Sequence, residues 1–137
     1  MRLSKWLKSI LPSPLEPKIE CTGSVDTLIS ALKNPDPTIR RQAILALGEK
    51  GEYRIVENII AALDDPDDET RLAAVVALGK IGDPRAIEPL IDKLKSYDYF
   101  YVRKKAAYTL YVFLKQERLE ERLRDKILSH WRSWYLT

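Results

Sequence analysis

The chain has 137 residues, 45% of them hydrophobic and 31% charged, with a net charge of +3 at neutral pH. That balance suits one domain with a sizeable core, burying roughly two thirds of the unfolded chain's surface. It excludes an integral membrane protein, because no apolar run approaches the ~20 residues that a spanning helix needs. The single Cys21 excludes an internal disulfide, and the basic start of the chain lacks the apolar run and cleavage site of a secretory leader, so the expected location is cytoplasmic.

Residues 2–11 place Leu3, Trp6, Leu7, Ile10 and Leu11 on one helical stripe, with Arg2, Lys5 and Lys8 opposite. This spacing predicts a short amphipathic helix that needs a surface to lie on. Pro12, Pro14 and Pro17 end it and make an extended tether, since each proline also disfavours helix at the residue before it. Residues 1–22 therefore read as an arm, with residues 23–137 as the folded domain. The arm could cap the domain, fill a groove on it through Leu3, Trp6, Leu7 and Ile10, or make a weak peripheral contact with a membrane surface.

From Ser24 onward the chain repeats. NPDPTIRRQAILALG at residues 34–48 returns as DPDDETRLAAVVALG at 65–79 and, degraded, as YDYFYVRKKAAYTLY at 97–111, with a period of 31 and then 32 residues. This is the period of a two-helix unit. The first helices align in register, with Val25, Leu28, Ile29 and Leu32 matching Val56, Ile59, Ile60 and Leu63, then Ile87, Leu90, Ile91 and Leu94. Polar turns rich in Pro and Asp, residues 34–37 and 64–68, follow the first two, and second helices begin near Thr38, Glu69 and Tyr101. Gly48 and Gly79 read as the C-terminal caps of the first two second helices. The predicted repeats span about 24–50, 53–81 and 85–116. A last helix over 118–134, with Leu119, Leu123, Ile127 and Trp131 on one stripe, reads as a terminal cap.

The pattern Asp-Pro-Asp-x-x-x-Arg-x-x-Ala-x-x-Ala-Leu-Gly, carried in full by residues 65–79, resembles the HEAT repeat, in the short form also seen in phycobilin lyase subunits. The resemblance covers about residues 24–117 and implies an all-α solenoid, a right-handed superhelix of antiparallel helical hairpins with the second helices lining a concave face. It also implies a ladder between neighbouring repeats, built from a turn Asp and the Arg six residues later. Those columns here hold Asn34 and Arg40, Asp65 and Arg71, and Tyr97 and Arg103, so the middle copy alone has the acid in place. Asp36, Asp67 and Asp98 are the nearby substitutes.

Nothing in the sequence points to catalysis. His130 is the one histidine and Cys21 the one cysteine, so neither a nucleophilic triad nor a zinc site can be assembled. Asp64, Asp65, Asp67, Asp68 and Glu69 are acidic enough to suggest a divalent cation, but helix capping and pairing with the repeat arginines explain them better. No cofactor is expected.

Binding is the better reading. With Ile39, Ala43 and Leu47 set toward the core at ~100° per residue, Arg41, Gln42 and Leu45 turn away from it. The matching positions are Leu72, Ala73 and Val76, then Lys104, Lys105 and Tyr108. The concave face is thus predicted to carry an apolar strip of Leu45, Leu72, Val76 and Tyr108, edged by Arg41, Lys104 and Lys105. A noncatalytic scaffold that binds a protein partner follows. The resemblance adds an alternative, an accessory subunit of a phycobilin-lyase-like enzyme.

Net charge is +2 over residues 1–24, −3 over 25–96 and +4 over 97–137. The basic C-terminal part, with Tyr97, Tyr99, Phe100, Tyr101, Trp131, Trp134 and Tyr135, keeps nucleic acid as a further alternative partner. Oligomeric state is left open.

Overall fold

A computed structural model describes residues 23–136. The arm residues Leu3, Trp6, Leu7 and Ile10, and Cys21, lie outside the described residues. Within them the chain forms α1 (Val25–Ala31), α2 (Pro37–Lys50), α3 (Val56–Ala61), α4 (Asp68–Ile81), α5 (Ile87–Lys95), α6 (Phe100–Leu114) and α7 (Glu121–Leu136), with no strand among the described residues. Short 3-10 turns at Tyr53–Ile55 and Pro84–Ala86 lead into α3 and α5. The predicted all-α repeat architecture is present, with three hairpins (α1–α2, α3–α4, α5–α6) followed by α7.

The helix starts are set by side-chain caps. Asp36 Oδ1 accepts from the Thr38 N–H at 2.9 Å and Asp67 Oδ2 from the Thr70 N–H at 2.8 Å, each satisfying a donor that the first turn leaves unpaired. Pro37 occupies the first turn of α2, where its missing N–H costs nothing. Hydrogen bonding from Thr70 holds the Asp67 carboxyl below its ordinary pKa, as suits a carboxylate that caps a helix.

Gly48 and Gly79 do not end their helices. α2 runs to Lys50 and α4 to Ile81, and the left-handed caps are Gly51 (φ 62°) and Gly82 (φ 71°). The earlier glycines serve packing. A Cβ on Gly48 would lie 2.9 Å from both Cα and Cβ of Ala77, and one on Gly79 would lie 2.9 Å from Thr109 Cγ2. The missing side chains let α2 approach α4, and α4 approach α6.

The core follows the repeat columns. Leu28, Ile59 and Leu90 of the first helices and Leu47, Leu78 and Leu110 of the second are fully buried. The second helices pack directly on one another as a row, whereas α1, α3 and α5 touch each other far less. This close-packed row of second helices is the one that the resemblance expects on the inner, concave face. α7 packs on α5 and α6, with Leu119 and Ile127 buried and Leu123 and Trp131 partly buried against the core. It begins at Glu121, slightly later than predicted, because the preceding residues turn: the Leu119 N–H donates to the Gln116 carbonyl at 3.2 Å. Arg124 then ties α7 to the end of α6 by donating to the carbonyls of Leu114 (2.7 Å) and Gln116 (3.1 Å).

Candidate functional site: the inner face of the second helices

The side chains that join the repeats form a ladder, although not the one that the columns suggested. Arg40 reaches forward into the next repeat, with Nε on Asp65 Oδ2 and Nη2 on Asp65 Oδ1, both at 2.9 Å. Arg71 does the same to Asp98, at 2.8 and 2.9 Å. Each arginine also holds its own turn: Arg40 Nη1 donates to the carbonyls of Asn34 and Pro35, and Arg71 Nη1 to those of Asp65 and Pro66. The planar guanidinium is thus used on both edges, a geometry that lysine cannot reproduce.

Asp98 does substitute for Tyr97: it stands one place past the aligned column and receives Arg71, while Tyr97 is fully exposed. Asp36 and Asp67 do not join the ladder; they cap helices. Burial by itself would raise the Asp98 carboxyl, but hydrogen bonds from Arg71, the Tyr99 N–H and Lys93 outweigh it and hold it below the ordinary carboxylate range. The hydrogen bonds to Asp65 and Asp98 raise the Arg40 and Arg71 guanidinium pKa values in turn.

The acidic turn before α4 is accounted for residue by residue. Asp65 is a ladder acid, Asp67 a cap, Asp68 accepts from the Tyr101 hydroxyl, Glu69 pairs with Arg41, and Asp64 lies 3.7 Å from Lys93. These carboxylates are spent on the scaffold. Among the described residues no group of three or more His, Cys, Asp and Glu is placed to hold a metal ion.

The predicted binding strip is only partly assembled. Leu45 and Tyr108 are exposed, as is Lys104, while Leu72 and Val76 are half-buried. Ala73, expected to turn outward, is buried at 5% exposure because the close approach of the second helices encloses it. Arg41 is engaged by Glu69 rather than lining an open rim. What remains is concentrated between α4 and α6. Leu72, Tyr101, Lys104, Lys105 and Tyr108 line a shallow depression of about 340 Å³. A second hollow of about 220 Å³ continues it past Val76, Lys105, Tyr108 and Val112. The Lys105 ammonium lies 5.0 Å from the centre of the Tyr108 ring, and Tyr101 stacks on Tyr99 at 5.7 Å. Both contacts pre-order side chains that would otherwise lose freedom on binding.

The aromatic cluster Tyr97, Tyr99, Phe100 and Tyr101 read from the sequence is exposed, and Tyr108, Tyr111 and Val112 extend it along α6. Phe100, Tyr99 and Tyr108 are each about 60% exposed, and Tyr111 and Val112 are exposed beside them. The signal was the loss of the small residues of the repeat in its third copy. Trp131 and Trp134, in contrast, pack partly against the core. Among the described residues no helix is long and apolar enough to cross a membrane.

Comparison with known proteins bears on this architecture. The family model for HEAT repeats matches residues 25–111. Among solved structures, the complex of CpcE and CpcF of phycocyanin lyase from Nostoc sp. PCC7120 is similar, with a TM-score of 0.62 and 31% sequence identity over 76% of this chain. The match takes in 41% of the compared chain, so this chain spans well under two thirds of that protein's length. No match is found among curated proteins.

Proposed function

The chain belongs to the HEAT-repeat family, and from that premise we propose that it is a noncatalytic scaffold that binds a protein segment on the inner face of its second helices. One observation carries this reading. The ladder and the glycine contacts occupy positions that recur between copies of the repeat, while the depression between α4 and α6 keeps Tyr108 and Lys104 exposed around the half-buried Leu72. An apolar floor with a cationic and aromatic edge suits an extended or helical peptide carrying apolar and acidic side chains.

Affinity capture from the source organism with wild type and Tyr108→Ala tests the reading. Tyr108 is mostly exposed, so its replacement leaves the fold intact. The partner should be lost or reduced at least tenfold, in line with truncation of an aromatic anchor. Equal recovery by both proteins overturns the inner face as the site.

A second reading is supported by the similarity to the CpcE and CpcF complex, namely that the chain acts as an accessory subunit in a phycobilin-lyase-like assembly. Titrating a bilin with the chain and its captured partner, followed by absorbance, tests it: an unchanged spectrum counts against it.

A further inference from the structure

The joints between repeats obey one rule. The first turn of an earlier second helix sends an arginine to the acid of the following turn, Arg40 to Asp65 and Arg71 to Asp98. At the first joint the adjacent Arg41 also pairs with Glu69, four residues beyond Asp65. α6 restates the double-basic pair as Arg103–Lys104, in the same columns as Arg40–Arg41. Arg103 Nε is buried, yet among the described residues it has no hydrogen-bond partner. Lys104 beside it is exposed. A guanidinium nitrogen removed from water and left without an acceptor is rare, because burial of such a donor is costly until it is paired.

We infer that the first turns of α6 form a docking surface for an acidic helix of another polypeptide. A carboxylate in the turn before that helix would take the fork of Arg103, and a second, four residues later, would take Lys104, repeating the Asp65 and Glu69 arrangement. The inference rests on the reading that the chain binds protein, but places the contact on the end of the helix row.

Charge selects the occupant. A second copy stacked in the same register would present Asn34, the residue in the Asp65 column, whose Oδ1 already accepts from the Asp36 N–H at 2.9 Å. An amide cannot supply the carboxylate that Arg40 and Arg71 each receive. The chain's own residues 1–22 are net basic and would meet Arg103, Lys104 and Lys105 with like charge. The docked helix also stays short of Tyr111. That residue replaces the glycine of the closed joints and stacks on Trp131 with ring centres 6.4 Å apart, which denies the close approach made at Gly48 and Gly79.

The test uses the full chain and a stapled helical peptide copying residues 64–76, which carries Asp65 and Glu69, followed by fluorescence anisotropy. Wild type should bind it, and Arg103→Ala should weaken binding at least tenfold, as for loss of a charge-assisted fork. A peptide with Asp65→Asn should weaken binding to wild type equally and cost nothing further against Arg103→Ala. Circular dichroism confirms that the variant keeps its helices. No binding to wild type, or equal affinity for wild type and Arg103→Ala, overturns the inference. Tyr108→Ala should keep peptide affinity within about twofold, since the tenfold step is assigned to the Arg103 fork alone; a tenfold loss there would move the peptide to the inner face and overturn the end-face site. Loss of the captured partner with Tyr108→Ala and of the peptide with Arg103→Ala are therefore separate results, so each reading can fail alone.

Discussion

The joint between α2 and α4 and the outer end of α6 are made from the same columns of one repeat, yet they do different work. At the joint, Gly48 lets the helices meet, Arg40 locks onto Asp65, and Arg41 onto Glu69. At the end of α6 the glycine has become Tyr111, stacked against Trp131 and with the Lys115 ammonium 4.7 Å from its ring centre. Among the described residues Arg103 Nε there finds no hydrogen-bond partner. The same column is scaffold where an acid of the next turn receives the arginine, and under the docking proposal it is a recognition element where, among the described residues, none does. In a solenoid, whose stability is nearly a sum of units and nearest-neighbour interfaces, a surface that closes no joint can carry specificity without weakening the stack.

The largest way to break this contrast is to spoil a closed joint. Gly48→Leu forces a side chain into the backbone of Ala77, and we expect a loss of about 3 kcal/mol in urea unfolding, the upper range for overpacking a tight contact. A loss below about 1 kcal/mol would show that close approach does not set that joint.

A smaller effect should come from Asp98, through pH. Its folded pKa lies below the ordinary carboxylate value, so the unfolded chain binds the proton more readily and stability rises with pH. The contribution is complete above the unfolded pKa of about 3.9 and is lost as pH falls through the depressed folded value. Asp98→Asn should therefore cost about 1–2 kcal/mol at pH 7 and progressively less as the medium is acidified below about pH 3. A deficit that stays constant between those two pH values would remove Asp98's charge from the joint.

Much of the fold was legible because repeats amplify a signal: the buried columns of Leu28, Ile59 and Leu90, and of Leu47, Leu78 and Leu110, appear at matching positions in each copy. Two features were misread for a physical reason. Gly48 and Gly51 both follow an apolar helical run, and sequence alone does not separate a glycine needed for positive φ from one needed for a 2.9 Å approach. The ladder was expected between neighbouring repeats, but its columns were taken as the acid and the arginine six residues apart in one copy, whereas Arg40 and Asp65 lie 25 residues apart and meet only because the hairpins stack. The exposure along the strip was legible only in part, for the same cause. Helical periodicity correctly turned Leu45 and Tyr108 outward, but it could not foresee that the neighbouring second helix encloses Ala73 and that Glu69 engages Arg41.

The central claim is that ladder arginines stabilise the fold only where an acid of the next repeat receives them. Thermal unfolding of Arg71→Ala beside Arg103→Ala tests it most directly. Loss of the Asp98 partner should cost Arg71→Ala about 2 kcal/mol, lowering Tm by roughly 5 °C or more. Arg103→Ala should stay within about 0.5 kcal/mol of wild type. Equal losses in the two variants would contradict the account.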